Sequence, residues 1–444
     1  MTGSVCICAL AVILAIGSFA TAQPQPLRPA MPIEPISAIV QQFKSHALVA
    51  LGDNEASVQG SDFRIKLVRD PRLAVVVNDV VVEFGNSRYQ DLVDRFTRGE
   101  EVPPESLRHI WQDTTQVEYT WDLPIYEQFF QAVRDVNSSL KGSRKLRVLL
   151  GDPPIQWEKV HSLEDLKPWL ERDSFAAEVV RREVLAKGHR ALIIYGDQHL
   201  VRTAGTVAPN IVGGIVAQLE RSGTSVFTIH TETRQDLSAF QPDVASWPMP
   251  SLAILRNTTL GAAMTDSEHQ RHMADQFDAV LYLGPPGKMR LSKLSRALCD
   301  DHTYLEIRLA RLALIPPPPN AAVSPMQMLK EYCQHPEGPL EVADTDPETT
   351  QMVRDTLKDA ARGEADPDRF APEARERLVT FLRNNGPRFL APNGALQNLI
   401  ALDAPSGNSN HRRYLASFAN GRKIIVNVEL SPGHRLVAID ARPE

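Results

Sequence analysis

The sequence predicts an α/β fold, a mostly parallel sheet flanked by helices, followed by a small α+β C-terminal domain. Three observations carry that expectation. Between Ala47 and Leu283 apolar, β-rich runs alternate with segments of helical periodicity, the pattern of strands joined by crossover helices. The runs RVLLG, ALIIYG, SVFTIH and AVLYLG are apolar throughout, as strands covered on both faces must be. After Pro325 the order changes to helices first and strands last, which marks a separate unit. A chain of 444 residues has room for two or three domains of about 150 residues.

Taken in order, residues 1–22, MTGSVCICALAVILAIGSFATA, are apolar and end on the small-x-small pattern Ala20-Thr21-Ala22. That is the pattern of a secretory signal cut before Gln23, and it predicts a periplasmic or secreted protein. The segment lacks a Lys or Arg before its apolar run, so a retained membrane anchor stays open as the alternative. Once the signal is removed, no membrane contact is expected. Residues 23–315 form the predicted α/β domain. Its helices are read in SRYQDLVDRFTRG, LPIYEQFFQAVRDVNSSL, RDSFAAEVVRREVLAKG and NIVGGIVAQLERSG, from apolar residues three and four apart. Residues 316–340 are a Pro-rich linker and helix, because the run Pro316 to Pro319 removes backbone donors and stops the preceding helix. Residues 341–444 predict a small α+β module. The helices PETTQMVRDTLKDAARG and APEARERLVTFLRNNG precede the strands ALQNLIALDA, RRYLASFANG, RKIIVNVEL and HRLVAIDA, with a tight hairpin at Asn420-Gly421. This module resembles cystatin-like or nuclear-transport-factor-like domains, and no chemistry is legible in it.

The formal net charge is −6 and no Lys/Arg-rich block occurs, so no nucleic-acid partner is expected. Signal cleavage would remove Cys6 and Cys8 and leave Cys299 and Cys333. These either form one disulfide or remain two thiols.

Four strands end alike: LVALGDNE, VVVEFGN, RVLLGD and ALIIYGDQH. In an open α/β sheet ligands bind outside the carboxyl ends of the strands, so glycine-ended strands would turn the side chains that follow toward one crevice. The candidates are Asp53, Glu55, Glu83, Asp152, Asp197 and His199. Carboxylates with one histidine can activate water, directly as base or by holding a metal ion. The competing reading is that Gly-Asp simply caps the next helix.

The motifs LGDNE, VVEFGN, ERDSFAAEVV and IIYGDQH, in that order, resemble the superfamily of erythromycin-esterase-like proteins, ChaN-like haem-uptake proteins and the TraB/Tiki group. The resemblance spans residues 40–285. It implies a role for His199 in a second Gly-x-x-His motif, for Glu83 at a strand end, and for Arg172 on a later helix. Glu55 stands where that superfamily has the first histidine. The expected site is therefore His199, Glu83 and Glu55 as catalytic groups, with Arg172, Asp53, Asp152 and Asp197 contacting a small-molecule or peptide substrate. The expected reaction is cleavage of an ester or amide by activated water. The resemblance leaves the cofactor open: a divalent metal on Glu55, Glu83 and His199, or haem. A non-catalytic haem- or ligand-binding protein of the cell envelope is the alternative.

Other motifs point elsewhere. His269 and His272 in SEHQRHMADQ sit three apart on a predicted helix, and they read as a solvated face. GPPGKMR has too few residues between its glycines for a phosphate loop. Gly-x-Ser-x-Gly and Gly-x-Gly-x-x-Gly are both absent, so neither a serine-hydrolase elbow nor a dinucleotide site is indicated. Trp121, Tyr126, Phe129 and Phe130 read as core with a ligand wall as the alternative. Tyr195 reads as a packed phenol with a haem-ligating tyrosinate as the alternative.

Overall fold

The computed structural model describes residues 26–142, 145–202, 213–265, 271–317, 319–335, 338–404 and 410–444. The signal-like segment, its cut site after Ala22, and His269 lie outside the described residues.

Seven strands form the main sheet: β1 (Leu48–Asp53), β2 (Asp79–Asn86), β3 (Arg147–Asp152), β4 (Ala191–Gly196), β5 (Val226–Glu232), β6 (Ser251–Ile254) and β7 (Ala279–Tyr282). Their order is β3-β2-β4-β1-β5-β7-β6. Every pairing is parallel except that of β6 with β7. Because β1 lies between β4 and β5, its carboxyl end is the position at which open α/β sheets place a ligand crevice. All six residues of β1 and all eight of β2 are buried, which is why the stretches LVAL and VVV within them are apolar without alternation. The edge strand β6 is covered: the backbone of Ile33 exchanges hydrogen bonds of 2.8 and 3.0 Å with that of Leu252. That bridge occupies one step of the outer edge ladder.

Each face carries its own core. Val49, Leu51, Val80, Val82, Phe84, Leu192 and Ile194 pack on one side with Phe63, Leu67, Phe129 and Phe130 from the helices Val58–Arg69 and Pro124–Ser139. Leu48, Ala50, Val81, Ile193 and Tyr195 pack on the other with the helices Arg172–Val179 and Ile215–Arg221. Trp121, Tyr126, Phe129 and Phe130 are buried around Phe84, with ring centroids 4.8 to 6.1 Å from it. They are core.

The C-terminal unit is a four-stranded antiparallel meander of β8 (Leu396–Leu402), β9 (His411–Phe418), β10 (Lys423–Leu430) and β11 (Leu436–Pro443). The helices Pro347–Ala361 and Arg375–Phe389 pack on it. The second helix runs past the expected stop at Asn385-Gly386 and contains Pro387. Gly386 is there for packing: a Cβ on it would lie 2.1 Å from the carbonyl oxygen of Ala360 in the facing helix. Gly421, at φ +85°, makes the β9–β10 turn as expected.

His272 is not on a helix. It caps the short helix Met273–Gln276, because its backbone is extended and bridges to Thr265. Cys299 and Cys333 form a disulfide. Among the described residues no helix is long and apolar enough to cross a membrane.

Candidate functional site

Glu83 lies near the end of β2 and is 1 % exposed. Strand alternation places it on the same face as Val81, so it meets the helix that starts at Arg172. Its Oε1 accepts from Arg172 Nη2 at 2.6 Å and lies 3.3 Å from His199 Nε2. Its Oε2 accepts from the backbone N–H of Gly196 at 2.8 Å. His199 Nδ1 is 2.5 Å from Asp173 Oδ1. Arg172 also reaches Gln116 Oε1 at 3.3 Å and Asp152 Oδ1 at 3.4 Å. Asp152 in turn accepts from the N–H and hydroxyl of Thr115 at 2.7 and 2.5 Å. The fold thus brings Glu83, His199, Arg172 and Asp152 into one network, to which Asp173 and Thr115 are added.

The network fixes protonation. Burial would raise the Glu83 carboxyl, but the hydrogen bond and charge of His199, with Arg172 and the Gly196 N–H, hold it at about 2. Burial would lower the His199 imidazole, but Asp173 and Glu83 lift it to about 10. At neutral pH His199 is therefore an imidazolium between two carboxylates, and it has no lone pair with which to act as a base. Asp152 is pushed by burial to about 7, against the opposing pull of Arg172 and Thr115.

Glu55 stands apart from this hydrogen-bonded set. It follows β1 at the mouth of the crevice, and it makes no hydrogen bond or ion pair with a described residue. Loss of hydration, then the charges of Glu83 and Asp53, push its carboxyl up to about 7, opposed by Arg172 and His199. The residue is nonetheless exposed, so solvent screens part of that effect.

Asp53 and Asp197 face away from this network. Asp53 alternates to the opposite face of β1, where it is buried against Arg64, whose guanidinium lies over Phe84 and Tyr126. Asp197 crosses β1 above Gly52, where a Cβ would lie 1.8 Å from its Oδ1. It ends 3.0 Å from His230 Nδ1. His230 Nε2 is 3.1 Å from Glu232 Oε2, and Glu232 Oε1 accepts from the N–H groups of Arg234 and Gln235. Burial would lower His230, but Asp197 and Glu232 raise it to about 10. Sequence reasoning missed this second charged group at the end of β5. Its signal was present, since His230 and Glu232 are two apart on a strand and must share a face.

The donor set does not suit a metal ion. Both nitrogens of His199 and both oxygens of Glu83 are engaged within the protein, and the Arg172 cation occupies the place a metal would need. Among the described residues no group of three or more His, Cys, Asp or Glu is arranged to hold one. Glu55, Glu83 and His199 are thus not brought together in the arrangement a metal ion would need. Tyr195 does not suit haem either. It is 1 % exposed, its hydroxyl lies above Gly151, and burial followed by the Glu83 and Asp152 charges raises it well above an ordinary phenol.

No family model matches the chain, and no curated protein matches it in sequence. Solved structures similar to it include a protein from Bacillus cereus, with 11 % identity and a TM-score of 0.44 over 60 % of this chain and 97 % of that one. The erythromycin esterase EreC in its open conformation is similar at 10 % identity and a TM-score of 0.40, over 58 % of this chain and 94 % of that one. ChaN of Campylobacter jejuni, with cofacial haem, is similar at 14 % identity and a TM-score of 0.27, over 45 % and 86 %. EreC and ChaN carry the names of the families that the sequence motifs resemble.

Proposed function

We propose that the crevice hydrolyses an ester or amide of a small molecule or peptide, with Glu55 as the general base. The observation that carries this is the contrast between Glu55 and its neighbours. Glu83, Arg172, His199 and Asp173 are locked into a network whose charges cancel, whereas Glu55 is exposed beside it with no hydrogen-bond or ion-pair partner among the described residues. A carboxylate titrating near neutral pH has the basicity that such a reaction asks of an imidazole. Glu55 would take a proton from water as the oxygen attacks the carbonyl carbon, then return it to the leaving oxygen or nitrogen as the bond breaks. Arg172 has guanidinium N–H groups beyond those that bond Glu83 and Gln116, and these would donate to the oxyanion that develops, while the His199 imidazolium orients Glu83. Asp173 and Glu83 keep that imidazolium charged and oriented.

The mature protein is proposed to work outside the cytoplasm. The Cys299–Cys333 disulfide supports this, because such bridges persist in oxidising compartments, and so does the apolar sequence ending at Ala22. The names of the neighbours include both an esterase and a haem-binding protein, so an assay must decide between them. Purified protein should hydrolyse at least one member of a panel of aryl esters and peptide amides, and Glu55→Gln should lower kcat/KM at least a hundredfold. Equal rates for the two proteins across the panel would remove Glu55 from the mechanism. A Soret band in protein purified from its native compartment would favour the haem reading.

A further inference from the structure

The turn that carries Glu55 holds a backbone conformation that its residues do not favour. Ala56 has φ +65°, in the left-handed region where a residue with a Cβ is strained. Strain of this kind persists only where the surroundings impose it, and it gathers at functional sites. Here the surroundings are specific. The Ala56 N–H donates to the Tyr126 hydroxyl at 3.3 Å, and the Ala56 carbonyl accepts from the Ser292 N–H at 2.7 Å. Asn54, on the other side of Glu55, donates through its side chain to the Thr231 carbonyl of β5.

Ser292 closes the stretch GPPGKMRLS, whose glycines are too close together for a phosphate loop. This stretch runs along the turn instead. The Val58 N–H donates to the Arg290 carbonyl at 2.9 Å. The Gln59 side chain donates to the Lys288 carbonyl at 2.8 Å and accepts from the Arg290 N–H at 3.0 Å. Residues 288–292 thus form a strap across the residues that follow Glu55.

Tyr126 lies in the first turn of the helix Pro124–Ser139, and its ring is core, with Phe84 at 4.8 Å and Trp121 at 4.7 Å. A phenylalanine ring would fill that place. The hydroxyl has a separate use: a buried phenol oxygen needs a hydrogen-bond partner, and among the described residues the group bonded to it is the Ala56 N–H. We propose that Tyr126 is a positioning residue, whose hydroxyl, together with the strap, holds Ala56 in the left-handed conformation and so fixes the direction of the neighbouring Glu55 side chain. This deepens the hydrolase reading and rests on it only for what Glu55 does there.

Carbon NMR of protein labelled at the glutamate δ-carbon tests this without relying on catalysis, with the Glu55 signal assigned by its loss in Glu55→Gln. In the wild type that signal should titrate near pH 7, because loss of hydration and then Glu83 and Asp53 raise it against Arg172 and His199. In Tyr126→Phe it should titrate at least one pH unit lower, since a loosened turn returns the carboxylate to water. Ala56→Val should do the same, because a branched side chain resists a positive φ. Glycine adopts that conformation without strain, so adding Ala56→Gly to Tyr126→Phe should bring the titration most of the way back. Hydrolysis should follow the same order: kcat falls at least tenfold in Tyr126→Phe with little change in KM, and the added glycine restores it. A hydroxyl that served only to stabilise the fold would not be replaced by glycine at another position. Unfolding midpoints identify any variant that does not fold. Ala56 is half-buried, so the contrast of Ala56→Val with Ala56→Gly carries the test if Tyr126→Phe fails to fold. A Glu55 titration in Tyr126→Phe that matches wild type, or a shift that glycine does not reverse, would overturn the proposal. The expected titrations in protein that cleaves nothing on the ester and amide panel would leave the positioning intact and remove the hydrolase reading.

Discussion

At the scale of single residues, the site turns on how one carboxylate differs from the others. Glu83 is held at about 2 and Glu55 is pushed up to about 7, although both lie at strand ends in the same crevice. These shifts have opposite consequences for stability. Glu83 has a depressed value, so its contribution is present above the ordinary carboxyl range and is lost only as pH falls toward 2. His199 has a raised value, so its contribution is present below the ordinary histidine range and is lost as pH rises through about 10. Both report the same ion pair and are counted once. Glu55 has a raised value, so its ionisation opposes folding increasingly as pH climbs from about 4.5 to 7. Glu55→Gln should therefore raise the unfolding midpoint at pH 8 and leave it unchanged at pH 4, while hydrolysis at pH 8 is lost. A group that costs stability where it works is a mark of function. Wild-type activity should rise through about pH 7 and fall near pH 10, and the lower limb should be absent in Glu55→Gln. A variant midpoint that is lower at pH 8 would mean that Glu55 is structural. Much of this set was legible: glycine-ended strands picked out Glu83, Glu55 and His199, and the motif resemblance picked out Arg172. Protonation was not legible, because it depends on Asp173 and Thr115, which no spacing connects to the strand ends.

At the scale of elements, strand alternation explains both what sequence found and what it lost. Asp53, Asp152 and Asp197 each follow a strand-ending glycine, yet they go to three different places. Strand parity decides it for Asp53, which faces Arg64 because Gly52 takes the crevice side. Gly52 is required there because Asp197 passes over it to reach His230 and the N–H of Thr231. Gly52→Ala should displace that carboxylate and leave His230 with Glu232 as its remaining acid partner. Breaking one arm of a buried charged group costs about 3–5 kcal/mol, and Asp197→Asn should cost no more than that, because the Asp197 side chain is partly exposed. The double variant should then be no less stable than the worse single one, because both substitutions remove the same interaction. Additive losses in denaturant unfolding would place the two residues in separate roles. The helix containing Pro387 teaches a related lesson. Asn385-Gly386-Pro387 reads locally as a stop, but Gly386 is used for close approach to Ala360, and tertiary packing carries the helix on to Phe389.

At the scale of the whole molecule, the Pro-rich run is legible as a boundary, but the boundary of stability lies further on. The helix Pro325–Gln334 follows the prolines, yet Cys333 ties it back to Cys299, and Leu329 packs with Leu298 and Leu312. On its other side Glu331 pairs with the buried Arg413 of β9. Residues 340–342 already belong to the meander, since Val342 donates to Ala401 and Asp403 donates to Leu340. We therefore propose that the first unit ends between the disulfide helix and Leu340, rather than at the prolines. Chains truncated after Ala321 and after Gly338 should behave differently. The shorter one loses the bridge, whose 34-residue separation corresponds to about 3–4 kcal/mol in the chain-entropy model, and it also exposes the apolar contacts of Leu329. It should unfold at a clearly lower temperature or aggregate. The longer one keeps the bridge and should unfold cooperatively, with Glu331 left facing solvent at little cost. Dithiothreitol should lower the midpoint of the longer chain toward that of the shorter one. It should have little effect on the shorter chain, which contains no bridge between these cysteines to reduce. If both chains unfold alike under oxidising conditions, the disulfide helix belongs energetically to the C-terminal module. If neither folds, the meander is part of the main core and the two units cannot be separated.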